Sequence, residues 1–163
     1  MRVMAVLARK CRTAARQPWP VFALLPIAWT LIGLSSAALA LRPFKRIAPV
    51  LGRNLGATSL APEADPQTLR RATRIGKAVT IAANYAPFRS NCLPQAMAAA
   101  MLCRIGRVPY AAHLGASVTE PDRPGKMMAH AWVQCGPVAI TGGNGDLRRY
   151  GVVACFVPRQ VPG

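Results

Sequence analysis

Residues 91–106, NCLPQAMAAAMLCRIG, set the frame for the whole chain. Proline is tolerated in the first turn of a helix but not deep inside one, because it lacks an N–H and its ring strikes the carbonyl four residues back. Pro94 therefore puts a helix start very near itself, with Cys92 at or just before the N-terminus. Gly106 stops that helix after Ile105, and Leu93, Met97, Ala100 and Met101 form its buried side.

Upstream, Asp65 can cap a helix whose first position is Pro66, and Leu69, Ala72, Ile75, Val79 and Ala82 recur at helical spacing. Arg70, Arg74 and Lys77 fall on its other face, where a basic stripe is ordinarily solvated and only secondarily a peptide-binding surface. Downstream, the period changes from helical to alternating. From Val108 onward, Tyr110, Ala112, Leu114, Ala116 and Val118 share one face of a strand, with His113, Ser117 and Thr119 on the other. Residues 120–125 read as a loop, 129–135 as a second strand with His130, Trp132 and Gln134 on one face, and Gly136-Pro137 as a turn. A return strand at 138–140, a wide turn at 142–145 and a last strand at 151–157 complete the chain.

Residues 21–41, VFALLPIAWTLIGLSSAALAL, carry no charge and are long enough to cross a bilayer. Three readings stand: a spanning helix, a secretory signal cut near Ala38-Leu39-Ala40, or a buried or interfacial helix capping the domain. Basic residues lie on both sides, from Arg2 to Arg16 and from Arg42 to Arg53, so charge asymmetry assigns no orientation. Residues 54–66 are small, polar and turn-forming and read as a linker. The expected organisation is a basic leader, apolar helix and linker over 1–62, followed by a single functional domain over 63–163.

A length of 163 residues with 52% hydrophobic and 16% charged residues fits one domain with an appended segment and a true core. Twenty-one Lys and Arg face five acids, a formal charge of +16, which excludes two-carboxylate glycosidases and carboxylate-rich metal cages. Residues 1–80 hold thirteen of those cations and two acids, so the first half is the more adhesive toward anionic membranes, nucleic acid or acidic peptides. The five cysteines are odd in number and form no C-x-x-C pair, so no disulfide framework is expected and a reducing, cytoplasmic compartment fits better.

A thiol attacks as thiolate, and a helix N-terminus favours negative charge there, so Cys92 is the candidate nucleophile. Free amides of the same first turn could hold an oxyanion. Cys103, Cys135, Cys155 and Cys11 lie in a late helical turn, two strands and the leader, where thiols serve mainly as filler. The base must be one of two histidines. His130 has Trp132 on its own strand face to shield it from water, whereas His113 lacks such company and reads as a satisfied or exposed strand histidine. For the group that orients the base, Asp146 is the only acid after His130, though it also reads as a turn aspartate, and Asn144 is the alternative. No short ligand spacing supports zinc, and residues 142–145 lack the Lys-Ser/Thr of a phosphate loop, so neither metal nor cofactor is expected.

Arg89-Ser90-Asn91-Cys92-Leu93-Pro94-Gln95-Ala96, then Leu114-Gly115, then Ala129-His130-Ala131-Trp132-Val133, resemble the transglutaminase-like leader peptidase of lasso-peptide biosynthesis, the B protein. The segment 41–46, LRPFKR, and the strand from Tyr150 to Phe156 also look like that family. The resemblance implies an α+β, papain- or transglutaminase-like fold, with the nucleophile at a helix N-terminus packed on an antiparallel sheet and an N-terminal apolar helix. It implies a cysteine peptidase that cuts the leader from a ribosomally made precursor before a macrolactam synthetase closes the ring, with Cys92 as nucleophile and His130 as base. The family often has an aspartate soon after the strand that follows the histidine; here that region reads Ile140-Thr141-Gly142-Gly143, and Asp146 stands as the substitute. The expected partners are the precursor leader, a separate leader-recognition protein, the synthetase and a membrane touched through 21–41, with no nucleic acid. Two rival readings are acyl transfer to an amine at the same site, and a non-catalytic basic adaptor for membrane or nucleic acid.

Overall fold

The computed structural model describes residues 19–88, 90–117, 127–143 and 145–159. Its elements are helices α1 (Trp19–Leu41) and α2 (Phe44–Ile47), a 3-10 turn (Ala48–Leu51), strand β1 (Arg53–Asn54), helices α3 (Pro66–Asn84) and α4 (Cys92–Ile105), strands β2 (Ala111–Ser117), β3 (Met128–Cys135) and β4 (Val138–Thr141), a second 3-10 turn (Leu147–Arg149) and β5 (Gly151–Val157). The strands form one antiparallel sheet in the order β1-β5-β2-β3-β4, with helices packed on it, which is the α+β architecture expected. Val118, Thr119, the 120–125 loop, Cys11 and Asn144 lie outside the described residues.

The helices begin where local chemistry dictates. One oxygen of the Asp65 carboxylate accepts from the N–H groups of Gln67 (2.8 Å) and Thr68 (3.1 Å) and the other from the Thr68 hydroxyl (2.5 Å), capping α3 ahead of Pro66. Those donors hold the Asp65 carboxyl below the usual carboxylate range. Cys92 is the first residue of α4, with Pro94 in the first turn. That helix ends at Ile105, but the left-handed residue that closes it is Arg107 (φ 51°), one past Gly106, with the Val108 N–H reaching back to the Cys103 carbonyl at 2.8 Å.

The sheet buries both faces. On the first, Ala112, Ala131, Val133 and Phe156 join Val79, Ala82, Ala98 and Leu102 of α3 and α4 in the main core. The second carries His113, Trp132 and Cys155, which sit side by side because they are cross-strand partners, all less than 5% exposed. Residues 55–62, expected only to link, also strap this sheet. The Leu55 N–H donates to the Cys155 carbonyl and the Cys155 N–H to the Gly56 carbonyl (both 2.8 Å), and the Gly136 N–H donates to the Pro62 carbonyl (2.7 Å).

α1 packs on α3 and α4 and buries Val21, Ala28, Ile32 and Ser35. Trp29 meets Phe88, in the loop before α4, with ring centroids 5.5 Å apart. The turn after α2 is fastened to the domain by the Tyr110 hydroxyl, which donates to the Leu51 carbonyl (2.9 Å), and by the Arg104 guanidinium on the Val50 carbonyl. α3 touches β4 at Gly76, where any Cβ would overlap the Ile140 carbonyl oxygen, so a residue without a side chain lets the helix close against the sheet edge.

Candidate active site

Proline narrows the oxyanion donors of α4. The first-turn N–H groups belong to Cys92, Leu93 and Gln95, since Pro94 has none, and the Gln95 N–H is taken by the Asn91 carbonyl at 3.3 Å. Among the described residues, the main-chain donors left without a partner are thus those of Cys92 and Leu93. The Gln95 side chain adds a third: its amide donates one hydrogen to the Ser90 carbonyl (2.6 Å) and has a second to give. Ser90 in turn donates its hydroxyl to the Ala83 carbonyl at the end of α3 (3.1 Å), which ties the segment entering α4 to the neighbouring helix.

Cys92, Gln95 and His130 line one cleft of about 620 Å³. Its walls are the α3 residues Thr73, Lys77, Thr80 and Asn84, spaced so that they share one helix side, and β4 with the turn that follows it. β4 is the outer strand of the sheet, and α3 closes on it at Ile140, so the cleft lies between that strand, the turn after it and the polar side of α3.

His130 sits near the start of β3, its ring centroid 5.0 Å from that of Tyr150 and 6.1 Å from that of Trp132. Its Nε2 lies 2.8 Å from the Gly142 carbonyl oxygen. A carbonyl can only accept, so Nε2 carries a proton and donates it, and in the neutral ring Nδ1 is then the nitrogen with the lone pair. Gly142 delivers that carbonyl from a left-handed conformation (φ 73°), and a Cβ there would stand 2.5 Å from the Ala131 oxygen and 2.7 Å from the Trp132 Cβ. Only glycine fits the turn that presents the acceptor.

The expected orienting acid is engaged elsewhere. Asp146 caps the 3-10 turn after β4: one carboxylate oxygen accepts from the Arg148 N–H (3.1 Å) and from its Nε (3.0 Å), and these bonds push its carboxyl below the usual range. Among the described residues, the hydrogen-bond partner of His130 is the Gly142 main chain and not Asp146. A backbone acceptor leaves no mark in a sequence beyond the glycine that permits it, which is why reasoning from residue types missed it. Gln95, quoted only as part of a motif, carried a clearer sign: it lies one helical turn beyond Cys92.

His113 also departs from expectation. It does have aromatic company, its ring stacked on Trp132 at 5.1 Å, because the two are register partners on β2 and β3. Its Nε2 accepts from the Leu60 N–H at 3.2 Å, while its buried Nδ1 has no partner among the described residues. Burial disfavours the imidazolium and lowers the His113 pKa below 6.5. A histidine held neutral in the fold protonates more readily once unfolded, so its contribution is complete above about pH 6.5 and is lost as pH falls through and below that value. Thermal unfolding from pH 7.5 to 5 is expected to show Tm falling on acidification, with a shallower fall in His113→Gln.

Of the described thiols, Cys92 is the one with partial solvent access. Burial pushes Cys103 up to about 12, with Cys135 nearby adding to the shift, and raises Cys135 and Cys155 as well, so all three stay protonated at neutral pH. The arrangement thus offers a thiol at a helix N-terminus, an imidazole held through Nε2 in the same cleft, and main-chain amides in the same first turn as the thiol.

Comparison with curated proteins finds no match, and neither does comparison with solved structures. The family comparison does: residues 38–155, which run from the end of α1 into β5 and hold the whole cleft, match the transglutaminase-like superfamily, and the chain belongs to it.

Proposed function

We propose that this protein is a cysteine peptidase that removes the leader from a ribosomally made lasso-peptide precursor, before a partner synthetase closes the macrolactam ring. The superfamily includes both cysteine peptidases and acyl transferases. The observation that carries the peptidase reading is the cleft shared by Cys92 and His130, with the Nε2 proton committed to Gly142 so that Nδ1 can serve as base. The motif around Cys92 and His130 supports the lasso-peptide assignment.

The chemistry follows from those groups. Nδ1 of His130 takes the Cys92 proton and the thiolate attacks the carbonyl at the leader–core junction. Charge on the tetrahedral oxygen meets the N–H groups of Cys92 and Leu93 and the second amide hydrogen of Gln95. The imidazolium returns its proton to the leaving amine of the core, and water, deprotonated by the same nitrogen, releases the leader from sulfur. Thr73, Lys77, Thr80 and Asn84 line the side along which the leader lies. A separate recognition protein delivers that leader.

Incubating the chain with precursor, recognition protein and synthetase and weighing the products tests the reading. Free leader bearing a new carboxylate is expected. Leader joined to an added amine makes the protein a transferase, and an unchanged precursor in the complete mixture refutes cleavage. Gln95→Ala is expected to lower kcat by about 10²-fold with little change in KM, since the lost donor meets charge that exists only in the transition state. Single-turnover rates of cleavage provide the measurement.

A further inference from the structure

α1 is apolar on both sides, and only one side is used by the fold. Val21, Ala28 and Ile32 are fully buried. On the outward side Trp19, Phe22, Leu34 and Leu41 are 79, 55, 62 and 80% exposed, with Ile27 and Trp29 between them. At about 1.5 Å per residue this stripe runs roughly 33 Å, far beyond the scattered apolar residues of an ordinary soluble surface. The exposed Thr30 hydroxyl turns back to the Pro26 carbonyl (2.9 Å), so it makes no demand on solvent.

Cations flank this stripe. Arg42, Lys45 and Arg46 are exposed just past its C-terminal end. Near the N-terminal end a groove of about 420 Å³ runs between α1, α3 and α4, walled by Leu24, Ile27, Ile75 and Leu102 and lined also by the exposed Arg71 and Arg74. Apolar walls beside two guanidiniums suit an acyl chain and the phosphate of its headgroup. The chain's +16 charge adds a long-range pull toward an anionic surface. We infer that α1 lies in the plane of an anionic lipid surface, its outward stripe sunk at the acyl boundary and its flanking arginines and lysine on lipid phosphates. Lying flat keeps Val21, Ala28 and Ile32 packed on the domain, whereas crossing the bilayer would pull them out.

The full-length protein mixed with vesicles tests this, using phosphatidylcholine alone or phosphatidylcholine with phosphatidylglycerol. Trp132 is buried, so a blue shift of indole emission reports Trp19 and Trp29. The shift is expected with the anionic vesicles, weakening as salt rises. Arg71→Gln with Arg74→Gln should weaken binding by about tenfold or more, and Phe22→Ser with Leu34→Ser should abolish it at unchanged circular dichroism. In Trp19→Phe, where Trp29 is the responding indole, lipids brominated near the headgroup should quench more than lipids brominated near the chain ends. Trp29 lies midway along α1, so stronger quenching by the deep bromines means a spanning helix and overturns the inference. Absence of vesicle binding overturns it too, and leaves the stripe to a protein partner; equal binding to both lipids overturns the headgroup role of the arginines.

Discussion

Replacing Cys92 with alanine is expected to abolish leader cleavage, with a loss of at least about 10⁴ in kcat/KM. In the proposed mechanism the sulfur is the group that becomes covalently bound, and neither the helix amides nor His130 can substitute for it. At about 1.4 kcal/mol per factor of ten, that loss is about 5.5 kcal/mol of transition-state stabilisation. The fold should be indifferent, because Cys92 is only partly buried and alanine is well suited to a first helical turn. Equal Tm values for the two proteins, with cleavage followed by mass, make the experiment decisive; turnover retained by Cys92→Ala would end the peptidase reading. Brief iodoacetamide treatment should label Cys92 ahead of Cys103, Cys135 and Cys155, which burial keeps protonated.

The second large effect separates Gly142 from Asp146. Gly142→Ala places a methyl group against the Ala131 oxygen and the Trp132 Cβ in a left-handed conformation that alanine resists, so the turn must move and carry its carbonyl away from His130. Loss of that acceptor frees the imidazole to rotate or to change tautomer, and a displacement of about 1 Å is enough to cost roughly 10²-fold in rate. The expected result is a fall in kcat of about 10²–10³ with KM little changed, together with an altered pH–rate profile, which simple loosening of the fold would not produce. Asp146→Ala should stay within about threefold of the parent, as expected of an exposed carboxylate whose bonds go to Arg148. A collapse of activity in Asp146→Ala with Gly142→Ala intact would return the orienting role to the acid.

What could be read from the sequence was whatever a single turn of backbone decides. Asp65 before Pro66, and Pro94 two residues after Cys92, fix helix starts through missing or unpaired N–H groups, and both starts lie where those residues put them. What escaped depends on partners distant along the chain. The stacking of His113 on Trp132 follows from strand register, which no property of either residue states. The strap at 55–62 holds the sheet mostly through main-chain groups, invisible in a segment read by its small and polar side chains. The Gly142 acceptor is of the same kind. α1 allowed three readings because a helix apolar all round has no polar face to give its packed side away. The structure supplies the stripe of Val21, Ala28, Ile32 and Ser35 that docks on the domain.

The position of β5 bears on biosynthesis. β5 follows the other described strands in the chain, yet it is not added at an edge: it slots between β1 and β2, and its Cys155 exchanges bonds with Leu55 and Gly56, a hundred residues earlier. Until it is made, β2 pairs with β3 alone and leaves its other edge open, and Leu55 and Gly56 lack the Cys155 main chain. A nascent polypeptide stalled before residue 151 would hold α4, with Cys92 at its start, over an unfinished sheet. The sheet beneath the cleft is thereby complete only once β5 is in place, and removal of residues 151–157 should behave as a folding defect, with precipitation in place of slow turnover.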